Sequence, residues 1–199
     1  MKLSCIALLA QSDEKTIQAF MDEYSQETDS KKALAWPPHF SLWGDFEIDE
    51  AALYKLSSGL NDLTANNLPL TVTASEYGFY PWRIIYLDIQ KTDQLQSLHE
   101  SVMNTIISHR TSWIPQALVD STHFEGKQRD YIERFGYHFA KEFYSPHFTL
   151  AGNDMTEEKF QYLVSKLKGK HEDITVKIVK IALVELGESS KKIIWTSGG

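Results

Sequence analysis

The chain has a single cysteine, Cys5, among its 199 residues. It can form no internal disulfide, and that usage suits a reducing compartment, so a cytoplasmic location is expected. No apolar run approaches the roughly 20 residues needed to span a bilayer, and no membrane association is expected. The short apolar run at the N-terminus, Leu3 to Leu9, leads into a helix signal at Ser12-Asp13 without a cleavage pattern, so it reads as a first strand rather than a secretory leader. Basic stretches are also missing. With 20 Lys and Arg against 27 Asp and Glu, the net charge is −7, which argues against a grip on long duplex nucleic acid, where phosphate neutralisation drives binding. No stretch rich in Pro, Gly and Ser is long enough to be a linker, so residues 1–199 are read as one compact monomer. No histidine pair has the helical metal spacing with a glutamate between, and there is no second cysteine. Neither metal nor cofactor is therefore expected.

What is present is a motif that occurs twice. Pro38-His39-Phe40-Ser41-Leu42 and Pro146-His147-Phe148-Thr149-Leu150 each set a histidine two residues before a hydroxyl. On a strand, residues i and i+2 share a face, so each copy offers an imidazole and an alcohol to one side and turns Phe and Leu to the other. Two such faces brought together would hold two acid/base groups and two hydrogen-bond donors around one anion.

The duplication is longer than the motif. A glycine follows each histidine at the same distance, Gly44 and Gly152. Helix starts come next, at Asp49-Glu50 and at Thr156-Glu157-Glu158, and then apolar residues at helical spacing. Strand-like runs close the units, Leu68 to Ser75 and Ile174 to Leu186. Upstream, each motif is preceded by an apolar run and an amphipathic helix, the second helix opened by Thr92-Asp93. The order strand, helix, His strand, helix, strand thus occurs twice. It predicts an α+β fold of two similar lobes, each an antiparallel sheet with flanking helices, related by a pseudo-two-fold about a central cleft. Lobe one is expected near 1–80 and lobe two near 82–199, with a final strand at Ile193-Ile194-Trp195 free to join either sheet. Within Ile174 to Leu186 the alternation changes phase after Ile178, which predicts a bulge.

Three aromatic residues are candidates to stack a ligand ring. Trp43 lies at the next i+2 position after Ser41 and is expected on the face of His39, with Tyr144 and Trp36 beside the two motifs. The other histidines, 99, 109, 123, 138 and 171, do not share the motif and read as structural or solvent-exposed. Residues 111–145 have no counterpart in the first unit. Gly126 to Phe135 reads as a short helix ended by Gly136, and Lys127, Arg129 and Arg134 form either a local basic patch or a solvated face.

Two His-x-Ser/Thr motifs, one per half of a duplicated α+β unit, resemble the two-histidine phosphoesterase superfamily, which includes cyclic phosphodiesterases and enzymes of the 2′-5′ RNA ligase type. The resemblance covers nearly the whole chain. It implies hydrolysis of a nucleoside 2′,3′-cyclic phosphate or a 2′-5′ linked oligonucleotide, without metal. His39 and His147 would share the roles of acid and base, in an order the sequence does not assign, with Ser41 and Thr149 as phosphate donors and a nucleotide, a cyclic nucleotide or a short RNA end as the partner. Two alternatives are a binding module of the same fold without turnover and a metal-assisted hydrolase.

Overall fold

A computed structural model describes residues 1–187 and 191–198. Among them lie seven strands: β1 (Lys2–Leu9), β2 (His39–Glu47), β3 (Leu70–Tyr80), β4 (Ile84–Ile89), β5 (His147–Ala151), β6 (His171–Leu186) and β7 (Lys191–Thr196). The helices are α1 (Gln11–Thr28), α2 (Leu53–Asn67), α3 (Asp93–Ile107), α4 (Gln116–Val119), α5 (Lys127–Phe135) and α6 (Glu157–Leu167). Thr92 and Thr156 cap α3 and α6, each hydroxyl accepting the N–H of the third residue on, Leu95 and Lys159. Gly136, at φ 75°, ends α5 in the left-handed conformation.

All strand pairings among the described residues are antiparallel, and they form one continuous sheet in the order β2-β1-β6-β3-β4-β5, with β7 beside β6. The order is symmetric under the sequence repeat: exchanging β1 with β4, β2 with β5 and β3 with β6 returns it unchanged. Each His strand pairs with the first strand of its own unit. The closing strands, however, change sides. β3, expected to complete the first lobe, pairs with β4 and with the first half of β6, while the second half of β6 pairs with β1 and β7. The boundary near residue 80 therefore does not separate the two halves of the sheet. Pairing β3 with β6 at the centre also removes two edges that separate sheets would expose.

The phase change in β6 is a bulge. Leu8 pairs with Lys180 and Leu9 with Ile178, which leaves Val179 extra where the strand passes from β3 to β1. Helices are exchanged in the same manner as strands: α1 of the first unit packs on β5, and α3 of the second packs on β2. They cover one face of the sheet and enclose the main core, which includes Ile17, Met21, Leu95, Leu98 and Val102. The edge strands β2 and β5, at opposite ends of the pairing order, come side by side there, with Phe40 and Phe148 edge to face at 5.8 Å. Their histidines emerge on the other face.

Candidate active site

The two motif histidines line the same cleft, of about 360 Å³, together with Ser41 and Thr149. All four are half-buried, whereas Phe40, Leu42, Phe148 and Leu150 are buried beneath them. The alternation read from the sequence is thus the alternation of the fold. The imidazoles are held alike: His39 Nδ1 lies 2.8 Å from the carbonyl of Pro37, and His147 Nδ1 lies 2.8 Å from that of Ser145. A carbonyl can only accept, so Nδ1 carries the proton in both rings, and in the neutral form Nε2 is the free base. Proline before each histidine removes a backbone donor and favours the extended start that this geometry needs.

The two surroundings differ. Trp36 stacks on His39, with ring centroids 4.9 Å apart and planes at 29°. It rests on Ile6, Leu8, Ala182 and Val184 of the sheet, and Lys191 Nζ lies 4.1 Å above it. His147 is flanked by Tyr86 at 4.8 Å and Tyr80 at 5.4 Å, and the Tyr80 hydroxyl reaches Ser145 Oγ at 3.4 Å. Leu8 is the cross-strand partner of His39, whereas Asp88 is that of His147. One histidine therefore has an apolar neighbour and a lysine nearby, the other a carboxylate.

Burial pushes the His39 pKa down to about 4, helped by the charges of His147 and Lys191 and opposed by the Pro37 carbonyl. Burial lowers the His147 pKa as well, against the Ser145 carbonyl. Both imidazoles are thus largely neutral at pH 7 in the free protein. Desolvation and the charge of Glu76 raise the Asp88 carboxyl to about 6.

Of the aromatic candidates, only Trp36 lies in the cleft. Trp43 is fully buried on the opposite face. Ser41 pairs with Ile6 but Trp43 with Cys5, so Leu42 is an extra residue in β2 and the bulge reverses the phase after the motif. The indole packs on Tyr137 at 4.8 Å and on His99 at 5.8 Å. Tyr144 is buried as well; its hydroxyl donates to the Ser41 carbonyl at 3.2 Å, and its ring stacks on His99 at 3.8 Å.

The expected basic patch is dispersed: Lys127 pairs with Glu142, Arg129 donates to carbonyls of Leu118, Val119 and Ser121, and Arg134 lies over Phe135. His138, read as structural or exposed, instead forms part of the cleft wall, as do Tyr80, Trp82, Phe139, Lys32, Asn153 and Lys191. None carries a local motif. The aromatic pair in Tyr80-Pro81-Trp82, at the turn between two strands, is the one signal that could have marked them.

A twice-used strand pair with exchanged closing strands, carrying one His-x-hydroxyl on each edge of a single cleft, defines a duplicated two-histidine fold. The chain belongs to the 2′-5′ RNA ligase superfamily, whose sequence profile matches residues 13–189. A protein of Geobacillus kaustophilus (strain HTA426), provisionally named a phosphoesterase, is 32% identical over 102 residues, covering 50% of this chain and 58% of that protein. A second, from Geobacillus thermodenitrificans (strain NG80-2), is 36% identical over 90 residues, 44% of this chain and 51% of that one. The matches thus span little more than half the length of these relatives. Among solved structures, E. coli LigT complexed with 3′-AMP aligns at a TM-score of 0.56 with 12% identity, over 100% of this chain and 98% of that one. A protein of Thermus thermophilus aligns at 0.59 with 15% identity, over 99% and 97%. At these identities the likeness is one of fold.

Proposed function

We propose that this chain is a phosphodiesterase that hydrolyses a nucleoside 2′,3′-cyclic phosphate or a 2′-5′ linked oligonucleotide with His39 and His147 as base and acid, using no metal. One observation carries the reading: the two motifs, far apart in sequence, set two equivalently tethered imidazoles and two hydroxyls around one cleft. The 3′-AMP and NADP+ bound in E. coli LigT structures support a nucleotide as the ligand class.

In the proposed reaction, water attacks phosphorus as His39 Nε2 takes its proton. A new P–O bond forms, the bond from phosphorus to the departing ribose oxygen breaks, and that oxygen receives the proton of His147 Nε2. Ser41 and Thr149 donate to the nonbridging oxygens as their charge builds. The assignment of roles follows from the neighbours. A proton entering the cleft favours His147, the cross-strand partner of Asp88, over His39, which is stacked on Trp36 and feels the charges of His147 and Lys191. A bound anionic phosphate favours the same protonation.

The test is turnover of a panel of 2′,3′-cyclic nucleotides and 2′-5′ linked oligomers, with and without chelator. Chelator-resistant turnover is expected, with a loss of at least ~100-fold in His39→Ala and in His147→Ala. Nucleotide binding without turnover would identify a binding module instead, and activity removed by chelator and restored by metal would identify a metal-assisted hydrolase.

A further inference from the structure

Beside the catalytic cleft lies a second pocket, of about 320 Å³, that the two-histidine chemistry does not use. Its floor and outer wall come from the segment 111–145 that breaks the repeat: Leu118 on α4, then His123 and Phe124 in the loop before α5. Three residues, Trp82, His138 and Asn153, line both the pocket and the cleft, so the two spaces share one partition. The partition is largely aromatic. Trp82 stacks on Tyr80 at 4.7 Å with planes at 9°, Phe124 lies 4.4 Å from His138, and His138 lies 3.9 Å from Phe139.

We infer that this pocket is a nucleobase subsite for a second nucleoside, flanking the phosphodiester held by His39 and His147, so that the preferred substrate is an oligonucleotide rather than a mononucleotide. The inference rests on the phosphodiesterase reading above. Three observations select a base over other occupants. First, four of the lining residues, Trp82, His123, Phe124 and His138, carry aromatic rings, the kind of group on which any base can stack. Second, among the described residues no lysine or arginine lines the pocket, while the cleft's lysines, Lys32 and Lys191, do not reach it. Burial and the charge of nearby His147 push His138 down to about 4, so it too is neutral at pH 7. A second phosphate would find no fixed cation among these side chains, whereas a neutral ring would meet no desolvated charge. Third, both ring nitrogens of His138 are buried without a partner among the described residues. An imidazole with one donor and one acceptor is suited to the edge of a base, which offers both.

The position of the pocket also accounts for the added segment. Segment 111–145 does not supply the motif groups, which sit on β2 and β5. It supplies the far wall of a space that shares Trp82, His138 and Asn153 with the cleft.

The experiment compares kcat/KM for 2′,3′-cyclic AMP with that for a diadenosine dinucleotide ending in a 2′,3′-cyclic phosphate. The same ratio is then measured in Phe124→Ala, which removes a stacking wall, and in Leu118→Trp, which fills the pocket. In the native chain the dinucleotide is expected to be favoured at least ~10-fold, as one base stacking interaction provides. Both variants should bring the ratio close to one, and each is checked for native folding by near-UV circular dichroism. Turnover of both substrates at equal efficiency, or a preference that survives both variants, overturns the subsite and leaves the phosphodiesterase reading intact. If neither substrate turns over, hydrolysis of a 2′,3′-cyclic phosphate is ruled out for adenosine ends, and the phosphodiesterase reading stands or falls on the 2′-5′ linked oligomers of the panel above. The subsite is then judged by binding alone: a diadenosine 3′-phosphate should bind at least ~10-fold more tightly than 3′-AMP and lose that margin in Phe124→Ala, and equal affinity overturns it.

Discussion

At the scale of single residues, the asymmetry around two nearly equivalent histidines is what separates the roles proposed for them. Each ring is tethered by the same Nδ1–H to a carbonyl two residues earlier, so what distinguishes them is Asp88 opposite His147 and Trp36 with Lys191 near His39. The proposed reaction needs His147 protonated and His39 neutral in the free protein, a combination favoured between the two pKa values. Since His39 lies at about 4 and His147 below its ordinary 6.5, kcat/KM should rise as pH falls from 8 toward 6, pass through a maximum in the acid range and decline toward pH 4. Asp88→Asn, which removes the carboxylate cross-strand from His147, tests the role proposed for that charge. It should lower kcat/KM at pH 7 about 3- to 10-fold and move the maximum further to acid, with activity recovering at lower pH. A pH-rate profile of both forms checks this, since a purely structural defect would lower the curve without displacing it. The paired histidines and hydroxyls were legible in the sequence because their i, i+2 spacing is a local property of a strand. Trp43 was misplaced because the bulge at Leu42 depends on pairing with β1, which no local pattern records.

At the scale of elements, strand contacts leave room for particular rings. Gly78 on β3 lies opposite Tyr86 on β4, and a Cβ there would run into the Tyr86 ring. That ring flanks His147 at 4.8 Å. Gly78→Ala should therefore destabilise the protein by ~1–3 kcal/mol through overpacking, and reduce turnover by displacing Tyr86 against His147. Adding Tyr86→Leu should recover the stability, measured by urea denaturation, but not the turnover. Gly44 has the same relation to Tyr137: its missing side chain lets the added segment lie against β2. The equal spacing of Gly44 and Gly152 after the histidines was visible in the sequence, but the two serve different ends. Gly152 N–H donates to Ser30 Oγ at 2.9 Å, and that hydroxyl in turn donates to Asp154, joining the end of α1 to the end of β5.

At the scale of the whole molecule, β6 runs through both halves of the sheet, and α1 and α3 each pack on the His strand of the other unit. Neither half has a complete set of neighbours of its own. Unfolding is therefore expected as one cooperative transition, with calorimetric and van't Hoff enthalpies equal; two resolved transitions would contradict this. Stability should also depend on acid. His99, fully buried with Nδ1 donating to the Leu42 carbonyl, is pushed down to about 4 by burial, as are His39 and His138. Below pH 6.5 the unfolded chain protonates these groups while the native chain resists, so stability is full above 6.5 and falls as pH drops toward 4. For His99 alone the loss approaches roughly 3 kcal/mol, and His99→Gln should make the acid limb of a denaturation-against-pH curve less steep.

The repeated order of elements, the two motifs, the caps of α3, α5 and α6 and the bulge in β6 are all written in local stretches of the chain. Each of these is settled by residues within a few positions of one another. That the closing strands change sides, that Trp43 enters the core and that His138 and Trp82 stand between two pockets emerges from the folded chain alone. Those outcomes depend on which strand lies beside which, and partner choice is set by burying edges and filling volume across the whole sheet, not by any short stretch of chain.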